Sequence, residues 1–205
     1  KEDYKSLSSD IDYAYFLVHS LKKTEGQFES LEEKIAQNFK EYLEGTKVKQ
    51  VIYLSGIVND EKLSKHLRSR LKVEDILLNS KVNCTVLRAG IIIGSGSASF
   101  EIIRDLVEKL PIMVAPKWVN SKCQPIGIKT ALEYLSSVIG VEETFNRHFD
   151  IGGKDVLSYK EMLLLFAKSR KLKRYIITVP VLTPKLSSKW LYFVTSTSYQ
   201  LAANL

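Results

Sequence analysis

The chain has 205 residues, of which 45% are hydrophobic and 26% are charged, and its formal net charge is +7. This length and apolar content suffice for one large domain with a buried core, which excludes a disordered chain. No apolar run approaches the roughly 18–20 residues of a membrane-spanning helix. The charged start KEDYKSLSSD does not resemble a secretory signal. We therefore expect a single globular domain over residues 1–205, located in the cytoplasm.

The first half of the chain alternates between apolar runs and amphipathic segments. Residues 11–21 (IDYAYFLVHSL) form a continuous apolar run, which is typical of a strand buried on both faces of a sheet. Residues 28–45 carry apolar side chains at helical spacing and end at Gly45, a common stop residue. In the same way we predict a strand at 49–56, a helix at 60–80, a strand at 83–94 and a helix at 98–110. This alternation predicts an α/β fold with a parallel sheet.

The alternation weakens after Pro111. Short strands are predicted at 111–119 and 148–153, and helices at 128–140 and 158–169. In the last of these, Ser158 precedes Glu161 by three residues, which is the spacing of a capping box. Neither a repeat nor a linker marks a second domain.

Several residue types suggest partners or exclude them. Cys84 and Cys123 lie far apart without C-x-x-C spacing, so we expect reduced thiols and no metal site.

The basic segment KSRKLKR (168–174) is either a solvated helix end that complements the helix dipole or a contact for an anionic ligand or lipid. No nucleic-acid-binding motif accompanies it, so no nucleic acid partner is expected. The aromatic, lysine-flanked segment 179–205 either closes over a core or makes a peripheral membrane contact.

The loop GSGSAS (94–99) lies between a predicted strand and a predicted helix, where glycine-rich loops hold phosphates. Gly94 and Gly96 fit the first two glycines of G-x-G-x-x-G, but Ser99 stands in the third position. A dinucleotide fingerprint also expects an acidic residue about 20 positions on, and residues 111–119 contain none. The residues therefore match a pyrophosphate loop only in part.

A resemblance to a known superfamily covers the chain from about residue 10 to about residue 195. It is carried, in order, by LVHS (17–20), VIYLSG (51–56), LSKHLRSRLKVE (63–74), LRAGIIIGSGS (87–97), QPIGIKTALEYL (124–135) and DIGG (150–153). These segments resemble the extended and atypical short-chain dehydrogenase/reductase superfamily. More narrowly, they resemble its NAD(P)-binding nucleoside-diphosphate-sugar epimerases and NmrA-like reductases.

The resemblance implies a Rossmann-like, doubly wound parallel sheet with helices on both faces. In that superfamily the pyrophosphate loop follows the first strand, and no such loop occurs before residue 56 here. We therefore expect that the chain lacks the first βαβ unit. The loop 94–99 matches a late element of the superfamily, on the substrate side. Ser95, Ser97 and Ser99 there would either donate to an anion or cap the following helix, and residues 111–205 would supply the substrate-side portion.

The resemblance also implies a set of catalytic positions. Active members carry a Tyr-x-x-x-Lys pair, and the matching positions are His66 and Arg70, with Glu74 one turn later. Arg70 can bind ribose hydroxyls but cannot exchange a proton at neutral pH. His66 either acts as acid or base, or it belongs to a basic segment, KHLRSR, that is solvated or binds a phosphate without chemistry. Ser55 matches the superfamily's active-site Ser/Thr, and its hydroxyl would bond substrate or His66, or satisfy a local backbone group. Arg88 is either ion-paired or a ligand.

Further positions are implied for a bound NAD or NADP. His19 and Ser20, at the end of the first predicted strand, match a segment beneath the adenine-proximal ribose. Ser55 and Arg70 would lie near the nicotinamide ribose. The backbone of Ala89, Gly90 and Ile91 would contact the nicotinamide side.

Two functions follow as alternatives. The first is an oxidoreductase or nucleotide-sugar epimerase-like enzyme with an atypical active site, which binds a dinucleotide and an unidentified small-molecule substrate. The second is a catalytically impaired NAD(P)H-sensing or assembly protein that acts through a protein or membrane partner. A nucleotide-independent scaffold is a third reading. The helices at 28–45 and 60–80 could also form the interface of a homodimer.

Overall fold

The computed structural model describes residues 10–18, 28–58 and 65–179, apart from the side chains at positions 28, 29, 65 and 66. The chain divides into two compact units. Unit 1 comprises the residues up to Ala89 together with Lys129–Ile151. Unit 2 comprises Gly90–Ile128 and the residues from Gly152 onward.

Unit 1 is a parallel sheet flanked by helices. Its elements are β1 (Tyr13–Phe16), α1 (Phe28–Glu44), β2 (Gln50–Gly56), α2 (Lys65–Leu78), β3 (Asn83–Ala89), α4 (Ile128–Ser137) and β8 (Arg147–Ile151). The strands pair in the order β1-β2-β3-β8, and all pairs are parallel. The α/β class and the parallel sheet predicted from the alternation are therefore confirmed.

Helices pack on both faces of this sheet, because successive strand residues point to opposite sides. The face under α1 and α2 forms one core cluster, which includes Phe16, Ala36, Leu43, Val51, Tyr53, Val73, Leu77, Cys84 and Val86. On the opposite face Ile52 and Leu87 are buried. There the Tyr15 hydroxyl donates to the carbonyl of Leu135 in α4, at 3.0 Å.

A buried amide fixes the amino-terminal end of the sheet. The Gln50 side chain is fully buried. Its Nε2 donates to Thr85 Oγ1 at 2.8 Å and to the Val138 carbonyl at 3.0 Å, and its Oε1 accepts from the Gly140 amide at 2.8 Å. The amide thus ties β2 to β3 and to the end of α4. Gly140 adopts φ +69°, a conformation that favours glycine.

Strand β1 differs from its sequence prediction. A strand buried on both faces was expected, but Tyr13 and Tyr15 are 39% and 40% exposed, and only Phe16 is deeply buried. The reason is that β1 pairs with β2 alone among the described residues. The strand order also follows the chain order, so the described sheet contains no reversal of strand order.

Helix α2 buries polar residues together with apolar ones. Val73 and Leu77 are buried and Leu67 and Leu71 are half-buried, but Ser69 and Glu74 are buried as well. Ser69 Oγ donates to Glu32 Oε2 of α1 at 2.5 Å. Burial of these polar groups is tolerated because each finds a partner.

Unit 2 consists of short strands and two helices. Its elements are β4 (Ile92–Ile93), α3 (Ala98–Lys109), β5 (Ile112–Pro116), a 3₁₀ turn (Lys117–Asn120), β6 (Lys122–Cys123), β7 (Ile126–Gly127), β9 (Leu157–Ser158), α5 (Tyr159–Ser169) and β10 (Tyr175–Val179). Three strand pairs form: β4 with β7 and β5 with β10, both parallel, and β6 with β9, antiparallel. Strand β10 was not predicted.

Helix ends in unit 2 are fixed by side chains. The predicted capping box is confirmed, because Ser158 Oγ accepts from the Glu161 amide at 3.1 Å and Glu161 Oε2 accepts from the Ser158 amide at 2.6 Å. Arg174 caps α3, since its Nε donates to the Val107 carbonyl at 2.5 Å and its Nη2 to the Glu108 carbonyl at 3.3 Å. This basic residue is therefore part of the fold.

Neither cysteine of the chain forms a disulfide, which agrees with the sequence prediction. Cys84 is buried in the core of unit 1, whereas Cys123 is half-buried. Within the described ranges, no helix has the length and apolar character needed to cross a membrane.

Candidate functional site

Ser55 lies one residue before the carboxyl end of β2, where ligands bind in open parallel sheets. Its side chain is only 3% exposed. Ser55 Oγ is the single buried side-chain oxygen or nitrogen, among the residues that the structure describes, that has no hydrogen-bond partner. An unsatisfied buried hydroxyl costs stability. Such a group is a candidate for bonding a ligand.

Arg70 of α2 reaches the same strand end. Its Nη1 donates to the carbonyl of Leu54 at 3.4 Å. A Cβ on Gly56 would lie 3.5 Å from Arg70 Cδ and 3.1 Å from Leu67 Cδ2, so glycine at this position lets α2 approach β2 closely. Arg70 therefore bonds the residue before Ser55 and passes close to the residue after it. The structure brings together these two predicted site residues.

Arg88 and Glu74 form a buried ion pair beside Ser55. Arg88 pairs in register with Ser55 on the neighbouring strand. Its Nη2 and Nε donate to the two carboxylate oxygens of Glu74, at 2.6 and 3.1 Å. The Glu74 side chain is 2% exposed and that of Arg88 is 14% exposed. His148 Nδ1 lies 3.7 Å from Glu74 Oε1. The structure thus decides between the two readings of Arg88 in favour of an ion pair.

Tyr53 completes the group, which we call the strand-end cluster: Tyr53, Ser55, Arg70, Glu74 and Arg88. Burial raises the pKa of Tyr53 to about 12, while the Arg70 charge and the Ser55 hydroxyl act in the opposite direction. Its hydroxyl lies 3.5 Å from the Arg70 carbonyl. The phenol is therefore neutral at physiological pH and offers a fixed dipole.

Sequence reasoning did not select Tyr53, because its spacing marks only a buried strand residue. The sequence pointed to Glu74 but not to its ion-pair partner, because the pairing with Arg88 depends on how α2 packs on β3. The i, i+2 alternation from Tyr53 to Ser55, and from Val86 to Arg88, was the available signal. It places Ser55 and Arg88 on the face that α2 covers.

Other predicted site residues are only partly described. His66 lies in the first turn of α2, one turn before Arg70, but its side chain falls outside the described residues, as do His19 and Ser20. The Ala89 carbonyl accepts from the Ile57 amide at 3.2 Å, and the Ile91 carbonyl accepts from the Ile126 amide at 2.9 Å.

The Gly-Ser loop of unit 2 is held by the chain itself. Gly96 adopts φ +84°, and its amide donates to Glu101 Oε1 at 3.2 Å. A Cβ on Gly94 would lie 2.6 Å from Ile128, so this glycine serves packing. Because a carboxylate occupies the Gly96 amide, the loop is not ready to cradle a phosphate.

The serines of this loop do not cap helix α3. Ser97 stands at the N-cap position, but its side chain makes no capping hydrogen bond. Capping by the Ser97 hydroxyl is therefore not observed; Ser97 is half-buried, and Ser95, two residues earlier, is exposed. Among the described residues, no cluster of histidine, cysteine or acidic side chains could hold a metal ion.

Comparison with known proteins found no matching family model and no matching curated protein. Solved structures, in contrast, match closely in shape. They define a Rossmann-like fold that this chain shares with nucleotide-sugar epimerases, as the resemblance implied.

Three of these structures illustrate the match. UDP-glucuronic acid 4-epimerase from Bacillus cereus, in complex with NAD, has a TM-score of 0.70 at 15% identity, over 99% of this chain and 77% of that one. A nucleoside-diphosphate-sugar epimerase from Staphylococcus aureus has a TM-score of 0.71 at 12% identity, over 95% and 65%. RMD from Pseudomonas aeruginosa, complexed with NADPH, has a TM-score of 0.67 at 11% identity, over 94% and 79%. At these identities the likeness concerns the fold.

Proposed function

We propose that this chain belongs to an NAD(P)-dependent oxidoreductase or nucleotide-sugar epimerase-like enzyme. The observation that carries the proposal is the buried, unpartnered Ser55 hydroxyl at the carboxyl end of β2. The shared fold supports it, since solved structures of that fold include complexes with NAD and with NADPH. A bound dinucleotide would supply hydride transfer.

The residues of the strand-end cluster suit such a ligand. Ser55 Oγ can donate to, or accept from, a substrate hydroxyl at the strand end. Arg70 carries a permanent charge and several donors, which suit ribose hydroxyls but not proton exchange. Glu74 neutralises Arg88. We assign Arg70 to the ligand because its guanidinium reaches the residue before Ser55 at the end of β2.

Proton transfer falls to His66 in this proposal. A histidine titrates near neutral pH and can act as acid or base. His66 precedes Arg70 by four residues on α2, and helical spacing puts positions i and i+4 on one face. Tyr53 is unsuited to this role, because its phenol is buried and its pKa is raised to about 12.

The remaining predicted contacts stay within the same proposal. His19 and Ser20 would contact the adenine-proximal ribose, and the backbone of Ala89, Gly90 and Ile91 would contact the nicotinamide side. The loop with Ser95 and Ser97 would face the substrate. Support for this loop comes from the exposure of Ser95 and from the Ser97 hydroxyl, which makes no capping hydrogen bond to α3.

The first test is direct binding of cofactor to the full-length protein. NADH and NADPH are titrated separately, and binding is followed by reduced-nicotinamide fluorescence. We expect saturable binding of at least one of them, weakened about tenfold by Arg70→Met because a charge-assisted contact is lost. An exposed arginine of the same helix, Arg68, supplies the control as Arg68→Met. Equal binding by Arg70→Met and wild type would contradict the assignment of Arg70.

The second test concerns chemistry at Ser55. With any accepted substrate, Ser55→Ala is expected to lower kcat/KM roughly 10- to 100-fold, which is the worth of a lost hydrogen bond in the transition state. Cofactor affinity should stay within about threefold. Ser137→Ala, which removes an exposed hydroxyl bonded only within its own helix, should leave both quantities unchanged.

A sensing or assembly protein is the second candidate, and it is favoured by Arg70 standing where active relatives of the superfamily have lysine. In that case NAD(P)H binds but no substrate is turned over. His66→Ala then leaves the protein's behaviour intact, and a bound partner is released or recruited when NADPH is added. Turnover that depends on His66 would exclude this candidate.

A further inference from the structure

The two-stranded sheet of β5 and β10 presents an apolar face to solvent. In register, Tyr175 pairs with Ile112 and Ile177 pairs with Val114. These four side chains are 65%, 58%, 53% and 42% exposed, in that order. Because partners in register point to the same side of a sheet, they form one continuous patch, which we call the β5/β10 face.

The other side of the same strands is the buried one. Met113 and Ala115 alternate with the exposed residues of β5 and are 2% and 9% exposed. They belong to the core cluster formed with α3 and α5. A sheet with one face in the core normally shows polar residues on the other. Four large apolar residues there indicate an interaction surface.

A basic rim adjoins this face. The segment 168–174 holds five basic residues and no acidic residue. Lys168, Lys171 and Lys173 are exposed and line a cleft of about 400 Å³ together with Leu164 and Tyr175. Tyr175 therefore belongs both to the cleft and to the β5/β10 face, so the charged and the apolar surfaces are contiguous.

The two arginines of the segment are engaged elsewhere. Arg174 caps α3, and Arg170 Nη2 lies 3.2 Å from Glu108 Oε1. The three lysines are thus the part of the rim that is available to a partner. Lysine stems cover apolar surface while the ammonium groups reach toward anions.

We infer that the β5/β10 face and its lysine rim bind the surface of an anionic lipid bilayer. Apolar side chains bordered by lysines match an interface whose headgroups are negative and whose interior is apolar, and stable peripheral binding requires both contributions. Charge complementarity argues against coverage by this chain's own residues 180–205, because that segment contains two lysines and no acidic residue. This inference goes beyond the proposed enzymatic function and does not depend on it.

The test is co-sedimentation of the full-length protein with vesicles. Vesicles of phosphatidylcholine alone are compared with vesicles that contain phosphatidylserine. We expect binding to the anionic vesicles only, and we expect it to weaken between low salt and about 0.5 M salt, where the Debye length becomes short. Equal binding to both compositions, or none to either, would overturn the inference.

Substitutions separate the two contributions. Lys168→Gln/Lys173→Gln should weaken binding roughly tenfold or more, since each basic residue near an anionic surface contributes several-fold. Tyr175→Ser/Ile177→Ser should weaken binding by a similar factor without changing its salt dependence. The matched control is Lys34→Gln/Lys47→Gln, which removes the same charge from exposed positions of unit 1. An equal loss of vesicle binding in the control would show that net charge alone causes the effect, and it would refute the role of the lysine rim.

Other occupants of the face give distinct results. Ile112→Cys in a Cys123→Ser background is labelled with a water-soluble maleimide, with and without anionic vesicles. We expect rapid labelling without vesicles and protection with them. Slow labelling in the absence of vesicles would show that the face is already covered, and analytical ultracentrifugation then identifies a second copy as the cover if the protein sediments as a dimer. Slow labelling without vesicles, whether or not the protein sediments as a dimer, would refute the inference.

Discussion

Replacing Ser55 with alanine removes a buried hydroxyl that no described residue satisfies. Burying a hydroxyl without a hydrogen bond costs about 1–3 kcal/mol. The alanine methyl group fills most of the same space, so little packing is lost. We therefore expect Ser55→Ala to raise the free energy of unfolding by about 1 kcal/mol. A site residue that lowers stability in this way is typical of a group kept for binding or catalysis.

The comparison that isolates this effect is Thr85→Val. Thr85 is also buried in the sheet, but its hydroxyl accepts from Gln50 Nε2 at 2.8 Å and lies 3.1 Å from the Thr144 carbonyl. Loss of these bonds should lower the free energy of unfolding by about 1–2 kcal/mol. Urea denaturation measures both variants, and the two midpoints should move in opposite directions with the slope m unchanged.

A clear loss of stability in Ser55→Ala would refute this reasoning, because it would mean that the hydroxyl is bonded inside the protein. The Tyr53 phenol would be the first partner to examine, since the Ser55 hydroxyl influences its pKa. A double-mutant cycle with Tyr53→Phe measures that bond directly. Coupling well above about 0.5 kcal/mol would assign the hydroxyl to Tyr53 and remove the argument for a ligand.

Three further predictions concern the folded state. Glu74→Gln should lower the free energy of unfolding by about 3–5 kcal/mol in urea, because the Arg88 guanidinium is left buried and unpaired. Hydrogen bonds from Ser158 lower the pKa of Glu161. This carboxylate therefore stabilises the fold above pH 4.5, and the stabilisation is lost as the pH falls through the folded pKa. Glu161→Gln should therefore reduce the loss of unfolding free energy at acidic pH. Burial raises the pKa of Cys84 to about 12, so a thiol reagent at pH 8 should leave it unmodified until the protein unfolds.

Each of these predictions has an internal control. Glu33→Gln breaks an exposed pair with Lys72, 3.6 Å long, and should cost less than about 0.5 kcal/mol; a similar cost in Glu74→Gln would show that the buried pair is screened by solvent. Glu133→Gln, an exposed substitution on α4, should keep the wild-type loss of unfolding free energy at acidic pH. The half-buried Cys123 should be modified before Cys84, and the reverse order would contradict the burial of Cys84.

Local sequence patterns predicted several elements closely. The apolar spacing in 28–45 gave helix α1, observed at Phe28–Glu44, and the run at 49–56 gave strand β2, observed at Gln50–Gly56. The capping box of α5 was also predictable, because Ser158 and Glu161 interact over three residues. Features of this kind depend on neighbours in the sequence, so the residues themselves contain the information.

Other features depended on packing between distant residues. The exposure of β1 follows from its pairing with β2 alone among the described residues, which no local pattern reports. The β5/β10 face depends on a strand pair that joins residues 112–116 to residues 175–179. The Gly-Ser loop resembled a phosphate cradle in part, but Glu101 occupies the Gly96 amide.

The sequence by itself determined the alternation of strands and helices, and with it the parallel sheet, because periodicity and chain connectivity restrict that choice. The resemblance that it carries also implied Ser55, at the end of β2, and Arg70, on α2, as candidates. Only the tertiary structure decided the state of each polar group. Arg88 is neutralised because α2 carries Glu74 across β3, whereas the Ser55 hydroxyl has no hydrogen-bond partner among the described residues. Hydrogen bonds and ion pairs require atoms within a few ångströms, and that proximity arises from packing.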